Sequence, residues 1–258
     1  MIWKVNPLLI DAYPLRLSWY GLFFAGGFLI GTYLMQWIYR REGRERAELD
    51  VLLWYVLGGT LIGMRLAHCL FYDPQFYLSH PVEILKIWKG GYASHGGAVG
   101  VLVAVYLYCR PPGRPAYLWL LDRLTIPAVL AGASIRIGNF FNSEIIGTPT
   151  DSPLGVVFAR VDPLARHPVQ LYEAAAYLAI FIVLLTLYRR KAPAQGVLTG
   201  LYLCLVFGAR MLLEMFKTPQ ASYATGLPFS VGQLLSVPFV AAGSVLLVRA
   251  YRARTAGA

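Results

Sequence analysis

The sequence predicts an all-α polytopic membrane protein with seven transmembrane helices and a small extracytoplasmic head. The first observation is composition: 57% of the 258 residues are hydrophobic and 14% are charged, whereas soluble domains carry roughly 45–50% and about 25%. The second is that apolar segments long enough to cross a bilayer recur along the chain. The third is that basic residues cluster after alternate apolar segments.

Each predicted span is an apolar stretch that approaches or meets the length of about 20 residues that a transmembrane helix needs. The fourth stretch is interrupted by Asp122, Arg123 and Pro127. We count it as a span because its removal would put residues 136–170 on the wrong face. The whole chain, residues 1–258, then forms one integral-membrane domain. The predicted spans are 17–39, 49–72, 96–110, 116–135, 171–189, 197–216 and 231–250.

The distribution of basic residues predicts the orientation of the spans. Clusters follow spans one, three, five and seven, so the positive-inside rule places the N-terminus outside and the C-terminus inside. Residues 136–170, rich in Gly, Pro and Asp, then form an outer head between spans four and five. Residues 73–95 form a second outer connection. The clusters are Arg40/Arg41/Arg44/Arg46, Arg110/Arg114, Arg189/Arg190/Lys191 and Arg249/Arg252/Arg254.

Charge and cysteine content argue against several classes of function. The net charge of +10 lies in short clusters without the basic stripe and interleaved aromatics of a nucleic-acid surface, so we expect no nucleic-acid partner. Cys69, Cys109 and Cys204 have unrelated spacings, which predicts small buried thiols and no metal site. The sequence shows no nucleotide-binding or protease motif, and we expect no cofactor.

Glycine pairs one helical turn apart predict places where helices pack closely. Two small residues at this spacing let the backbones of neighbouring helices approach each other. These pairs indicate packing and discriminate no function. They are Gly27/Gly31, Gly59/Gly63 and Gly96/Gly100.

Residues 132–151 concentrate polar side chains at the end of an apolar segment. Arg136, Asn139, Asn142 and Glu144 lie there, and such groups at membrane depth cost several kcal/mol each unless they are paired or hydrated. Arginine at a span end often only extends its side chain to the headgroups, but that would not require these polar neighbours. We therefore interpret Arg136 as an anion ligand, since its planar guanidinium matches phosphate oxygens.

Arg210 and Glu214 form a second polar pair, four residues apart on one face of span six. Arg210 is the other candidate anion ligand. The two side chains either pair with each other as a structural ion pair or jointly face a cavity. Arg65 in span two, about one turn from His68, has a similar ambiguity.

Three further side chains are candidates for chemistry. His95 lies among glycines that let a ligand approach closely, and an imidazole can accept a proton from a nucleophile. The alternative for His95 is an ordinary interfacial residue. Tyr20 starts span one, where tyrosine commonly belongs to an aromatic belt. His167 precedes Gln170 and Glu173, which share one face of the next helix. The alternative for His167 is that it only begins a well-capped helix.

The stretch from Arg136 to Gly147 resembles the prolipoprotein diacylglyceryl transferase pattern Gly-Arg-x-Gly-Asn-Phe-x-Asn-x-Glu-x-x-Gly. Four further segments, in order, are similar to the same family, and together they cover nearly the whole chain. They are Leu17-Ser-Trp-Tyr-Gly-Leu22, Gly90 to Gly97 with Ser94-His95-Gly96-Gly97, His167-Pro-x-Gln-Leu-Tyr-Glu173, and Phe207-Gly-Ala-Arg-x-x-x-Glu214. The chain departs from the family at Ser18, Ile135 and Val206, where histidine, glycine and sometimes tyrosine are found.

The resemblance implies an enzyme of the bacterial cytoplasmic (inner) membrane. It would move the diacylglyceryl group of phosphatidylglycerol to the lipobox cysteine of a prolipoprotein signal peptide, forming a thioether and glycerol phosphate. The implied partners are phosphatidylglycerol, these signal peptides and membrane lipids. The implied catalytic residues are His95, Arg136 and Arg210. The implied substrate-binding residues are Tyr20, Asn139, Asn142, Glu144, Gly147 and Glu214.

The chemistry of the residues agrees with this implication. A thiol must become a thiolate to attack carbon, and guanidinium groups stabilise the charge on a phosphodiester leaving group. Two alternatives stay open at this point. One is an anionic lipid or solute transporter that uses Arg136 and Arg210 as an anion path, and the other is a different headgroup-directed membrane transferase.

Overall fold

The computed structural model describes residues 1–13, 15–91, 93–190, 193–218 and 230–256. Helices dominate these residues, and two 3₁₀ turns (Ile87–Lys89, Glu214–Phe216) interrupt them. The helices are α1 (Trp19–Arg41), α2 (Arg46–Phe71), α3 (Pro74–Ser79), α4 (Pro81–Leu85), α5 (Ser94–Cys109), α6 (Tyr117–Asn142), α7 (Val169–Arg190), α8 (Val197–Leu213) and α9 (Val231–Ala256). The strands are β1 (Ile2–Trp3), β2 (Leu8–Ala12), β3 (Leu15–Ser18), β4 (Val156–Phe158) and β5 (Ala165–Arg166).

Six helices of the described chain are long and apolar enough to cross a membrane, namely α1, α2, α6, α7, α8 and α9. The prediction of a mostly helical, multi-pass protein is therefore confirmed. Helix α5 is apolar but has only 16 residues. A crossing by residues 96–110, the third predicted span, stays a prediction, and with it the count of seven.

Helix α6 corrects one predicted boundary. The sequence predicts that the fourth span ends at residue 135 and that the head begins at 136, because polar residues follow there. The helix continues to Asn142, and the connection to α7 comprises residues 143–168. Within the continued helix Arg136 pairs with Glu173 of α7, and Asn139 and Asn142 donate to the Glu144 carboxylate just beyond the helix end.

The prediction of an all-α fold is also corrected, since the chain contains two small sheets. Strand β1 pairs in parallel with β4, and β4 pairs antiparallel with β5. Strands β2 and β3 form an antiparallel hairpin just before α1. Strands of two to five residues are too short to show the alternating pattern by which a strand is recognised.

The chain forms two compact units, and the boundaries between them fall inside α1 and α6. The first unit comprises residues 1–35 and 122–258, and the second comprises residues 36–121. The first unit holds both small sheets and the segment 143–168. The second holds α2, the short helices α3 and α4, and α5.

A small, mainly aromatic core forms in the first unit where the end of α6 meets the segment 143–168, which is called the head below. Phe140, Val156 and Phe158 are buried together. The ring of Trp3 lies 4.4 Å from that of Phe140, and the N-terminal ammonium donates to the carbonyl of Gly155. The N-terminal residues are thus part of the head, an association that nothing in the local sequence pattern indicates.

Asp122 interrupts the apolar sequence of α6 because it caps another helix of the first unit. It is fully buried, and one carboxylate oxygen accepts from the backbone N–H of Gly196 at 2.7 Å. The other oxygen accepts from the N–H and the hydroxyl of Thr199 at 2.8 and 2.7 Å. The first N–H groups of a helix lack partners within the helix, so this carboxylate satisfies the start of α8.

The predicted close packing at glycines is confirmed in both units. In the second unit, a Cβ on Gly63 would collide with the carbonyl oxygen of Gly96, and a Cβ on Gly100 would collide with that of Gly59. In the first unit, a Cβ on Gly27 would lie 3.0 Å from the Ser134 side chain. Helices α2 and α5 therefore meet backbone to backbone.

Candidate active site

The end of α6 is strained around Glu144. The backbone N–H of Glu144 reaches back to the carbonyl of Asn139 at 3.0 Å, which is the bond that closes a helix with a left-handed residue. Ser143 and Ile145, on either side of Glu144, have φ angles of 58° and 54°. A β-branched residue in this region is an outlier that costs roughly 1–3 kcal/mol. Such strain persists where a side chain must be held in one place.

Glu144, held there, accepts hydrogen bonds from three side-chain amides, two at its carboxylate and one at its backbone carbonyl. Its two carboxylate oxygens accept from Asn139 Nδ2 at 3.0 Å and from Asn142 Nδ2 at 3.1 Å. Its backbone carbonyl accepts from Gln170 Nε2 on α7 at 2.5 Å. Asn139 and Gln170 are buried. The structure thus brings together three predicted site residues, Asn139, Asn142 and Glu144, and adds Gln170.

A buried carboxylate on α7 joins two cations of the first unit. Glu173 is fully buried, and one of its oxygens lies 3.0 Å from Nε of Arg136. The other lies 2.8 Å from Nζ of Lys217. Lys217 also lies 3.1 Å from a carboxylate oxygen of Glu214. A buried charge must be paired to be tolerated, and this chain of ion pairs explains how α6 and α7 hold charged residues in apolar surroundings.

Arg210 and Glu214 are not paired with each other in the described chain, although their spacing allows it. Glu214 pairs with Lys217, three residues further on, because the helix gives way there to a 3₁₀ turn. Nε of Arg210 is buried and has no hydrogen-bond partner among the described residues. Of the two alternatives for this pair, a direct intramembrane ion pair is therefore not formed.

Gly147 lies where three segments of the first unit converge. Its N–H donates to the carbonyl of His167, and its carbonyl accepts from the Thr218 hydroxyl at 3.0 Å. A Cβ on Gly147 would lie 2.7 Å from the carbonyl oxygen of Phe216 and would also collide with His167. Gly147 therefore allows the segment that carries Lys217 to lie against the head.

Tyr20 is placed against the motif by a second glycine. A Cβ on Gly138 would lie 2.9 Å from the Tyr20 ring, so the ring packs on α6 directly before Asn139. Ser18 stands where the family often has histidine, and its hydroxyl accepts from the N–H of Gly21 at 3.0 Å. This contact caps the start of α1.

His167 is placed as a structural corner. Its backbone carbonyl accepts the hydrogen bond from the N–H of Gly147. Its ring centre lies 5.1 Å from that of Phe216, and its Nδ1 lies 3.3 Å from the Tyr172 hydroxyl. Nearby, Arg166 donates to both oxygens of Asp162. These hydrogen bonds hold the pKa of the Asp162 carboxyl below its usual value.

His95 and Arg65 belong to the second unit. His95 is exposed and lies at a largely apolar groove of about 1040 Å³ between α2 and α5, whose wall also includes Trp54 and Leu107. Arg65 is 3% exposed, and backbone carbonyls surround its guanidinium. It does not act as an alternative anion ligand in this arrangement, because those carbonyls occupy its donors.

Sequence reasoning missed Gln170, Glu173 and Lys217 as members of the site. Signals were present, since Glu173 is a carboxylate early in an apolar helix and such groups usually pair with a cation. Lys217 is the basic residue that follows Glu214 by one turn. Neither signal identifies the residue with which the charge pairs, because the ion pairs of Glu173 join segments far apart in sequence.

The fold and the site define a multi-pass membrane protein with an ion-paired cluster of arginine, lysine and glutamate, centred on the buried Glu173, near the ends of its helices. The family model for prolipoprotein diacylglyceryl transferase matches residues 7–249. The chain belongs to this family.

Curated relatives match over nearly the full length of the chain. A phosphatidylglycerol–prolipoprotein diacylglyceryl transferase from Tolumonas auensis is 57% identical over 249 residues, covering 96% of each chain. One from Chloroherpeton thalassium is 48% identical over 254 residues, covering 98% of this chain and 95% of the relative. One from Porphyromonas gingivalis is 39% identical over 267 residues, covering 97% and 94%.

Proposed function

We propose that this chain transfers the diacylglyceryl group of phosphatidylglycerol to the lipobox cysteine thiol of a prolipoprotein in the bacterial inner membrane. Membership of the family and 57% identity to a relative of that name support the reaction. The observation that carries the proposal is the ion-paired cluster of Arg136, Glu173 and Lys217, which holds a motif arginine at the end of an apolar helix.

The cluster suits an anionic phosphodiester. Glu173 contacts the Nε edge of Arg136, a contact that does not involve the two terminal amino groups of the guanidinium. These terminal groups can bind two phosphate oxygens in parallel. Arg210, whose Nε lacks a partner among the described residues, supplies a second guanidinium. We assign both arginines to the phosphate of phosphatidylglycerol.

In the proposed step, the cysteine S–H loses its proton and the sulfur forms a bond to the glyceryl carbon. The bond between that carbon and the phosphate oxygen breaks, and its electron pair leaves with glycerol phosphate. Arg136 and Arg210 stabilise the negative charge that gathers on the phosphate. His95 accepts the thiol proton, as an imidazole can near neutral pH.

The remaining site residues position these groups. Asn139, Asn142 and Glu144 form one hydrogen-bonded set next to Arg136. Gly147 lets the chain around Lys217 and Glu214 lie close to this set. Tyr20 packs beside it on Gly138, which fits a residue that borders the lipid headgroup.

The test is thioether formation on a lipobox peptide by the purified protein in vesicles containing phosphatidylglycerol. We expect a diacylglyceryl peptide and free glycerol phosphate in equal amounts, and transfer by His95→Gln should be lost while lipid binding persists. Flux of lipid or solute without a thioether product would indicate a transporter. A modified headgroup without a modified peptide would indicate another transferase.

A further inference from the structure

Arg65 makes an unusual set of contacts in the second unit. Its Nε donates to the carbonyl of Ile84 at 3.0 Å. One terminal amino group donates to the carbonyls of Glu83 at 2.6 Å and Lys86 at 3.4 Å. The other donates to the carbonyls of Gly90 and Gly91. A guanidinium has five N–H donors, so these five bonds use all of them.

The carbonyls that Arg65 binds come from short helical segments and the two glycines that follow them. That of Glu83 also accepts from the N–H of Lys86 at 3.3 Å, but helical segments this short leave most of their carbonyls without a helical partner. Helix α4 and the following 3₁₀ turn have five and three residues, and the last carbonyls of a helix lack intrahelical partners. Unpaired carbonyls are costly near a bilayer. The cation also lies 5.2 Å from the centre of the Tyr77 ring, so one side chain organises residues 77–91.

The segment that Arg65 binds leads directly to His95. Gly91 has a φ angle of +79°, and a Cβ there would lie 2.6 Å from the His68 ring and 3.0 Å from the Arg65 guanidinium. Two residues later, the N–H of Ala93 donates to the carbonyl of Met64 at 3.0 Å. Helix α5 begins at the next residue, and His95 is its second residue.

We propose that Arg65 is a positioning residue for the transfer reaction, which fixes the backbone of residues 83–91 and thereby the placement of His95. The inference rests on the proposed function for the role of His95. Arg65 touches neither substrate in this assignment, because its donors are occupied by the chain itself. It acts through the loop that enters α5.

The experiment is a double-mutant cycle of Arg65→Lys and His95→Gln, measured as thioether formation on a lipobox peptide. We expect Arg65→Lys to lower kcat about tenfold, since lysine offers three donors to five carbonyls, with KM for phosphatidylglycerol unchanged. His95→Gln should keep only the residual transfer that lipid binding and the arginines supply; on that residual rate, followed over long incubations, Arg65→Lys should have no further effect, because coupled residues are not additive. Arg46→Lys, at an exposed position of the same helix, is the matched control and should keep wild-type kcat.

A second measurement tests whether Arg65 fixes the backbone of residues 83–91 even if transfer itself is absent. Backbone hydrogen exchange of residues 83–93 should rise in Arg65→Lys and stay at the wild-type level in Arg46→Lys. Additive losses of kcat, a raised lipid KM with normal kcat, or unchanged exchange in Arg65→Lys would each overturn the inference. Absence of transfer in the wild type would instead overturn the proposed function, and the exchange result would still decide whether Arg65 fixes the loop.

Discussion

At the scale of single residues, the guanidinium fork of Arg136 and Arg210 is the property on which the proposed reaction depends. Replacing either by Lys keeps the charge but loses parallel hydrogen bonds, worth roughly 1.5–3 kcal/mol for charged partners. We expect kcat/KM for thioether formation to fall roughly tenfold to hundredfold. Arg160→Lys, at an exposed position of the head, is the control and should keep normal activity. Near-normal turnover of both folded variants would make the two arginines structural.

Glu173 is the residue whose loss should cost most stability. It is fully buried and is shared by Arg136 and Lys217, so Glu173→Gln leaves two cations against a neutral amide. Removing one partner of a buried ion pair costs about 3–5 kcal/mol. We expect a clear fall in the thermal unfolding midpoint in detergent. The exposed Glu45→Gln should show none, and equal midpoints for the two variants would contradict a shared buried pair.

The site shows which residues a sequence can and cannot predict. Arg136, Asn139, Asn142 and Glu144 were predicted to lie together because they are close in sequence and costly in a bilayer, and the structure brings the last three into one hydrogen-bonded set. The ion pairs of Glu173 with Arg136 and Lys217 join three separate segments. No local period or spacing specifies such a contact.

At the scale of secondary-structure elements too, the sequence predicts what depends on local residues and does not predict pairing between distant segments. Long apolar periods predicted the positions of α1, α2, α6, α7, α8 and α9, since each such helix must face lipid or protein along its whole length. The polar residues from Arg136 onward predict an earlier end of α6 than the structure has, because the local sequence does not show that the helix continues through them to Asn142. Strands of two to five residues were missed, because the pairing of β1 with β4 depends on residues about 150 positions away.

Gly147 determines whether the head can contact the segment that follows α8. Alanine at this position would place a Cβ against His167 and Phe216, where there is no room. We expect Gly147→Ala to lose most transfer activity and to lower stability, because the chain around Lys217 must move. Gly26→Ala is the matched control, since a Cβ on Gly26 meets nothing within 4 Å. Loss of activity in both variants would show that the crowding at Gly147 is not the cause.

The hairpin-like pairing of β4 and β5 should depend on pH through Asp162. Hydrogen bonding to Arg166 lowers the folded-state pKa of Asp162 from 3.8. A lowered carboxyl pKa gives stability that is present above the unfolded-state pKa and is lost as pH falls through the folded-state value. The difference in stability between wild type and Asp162→Asn should therefore be constant above about pH 5 and vanish at lower pH. Thermal unfolding across pH 2–7 measures it, and a difference that persists at the lowest pH would contradict this origin.

At the scale of the whole molecule, the pairing of β1 with β4 constrains the topology. The N–H groups of Val157 and Ala159 donate to the carbonyls of Met1 and Trp3 at 2.9 and 3.2 Å, so the N-terminal strand and β4 lie on one face of the membrane. The chain between them must then cross an even number of times. Helices α1, α2 and α6 are each long enough to cross, which leaves α5 to supply a fourth crossing.

We therefore predict seven crossings, with the N-terminus and the head outside and the C-terminus inside. Helix α5 spans about 24 Å at 1.5 Å per residue, slightly less than the hydrocarbon thickness of about 30 Å. The arginine clusters at the C-terminal ends of α1, α7 and α9 and the cluster after α5 then all face the cytoplasm, as the positive-inside rule requires. If α5 did not cross, the clusters after α1 and α5 would lie on opposite faces.

Single cysteines in a background without Cys69, Cys109 and Cys204 test this topology with a reagent that cannot cross the membrane. We expect Asp151→Cys in the head and Ser79→Cys in α3 to be labelled in intact spheroplasts. Pro112→Cys, between α5 and α6, should be labelled only after the membrane is permeabilised. Labelling of Pro112→Cys in intact spheroplasts would show that α5 does not cross. Protection of Asp151→Cys in intact spheroplasts would show that the N-terminus and the head lie in the cytoplasm, because the head and the N-terminal strand share one face.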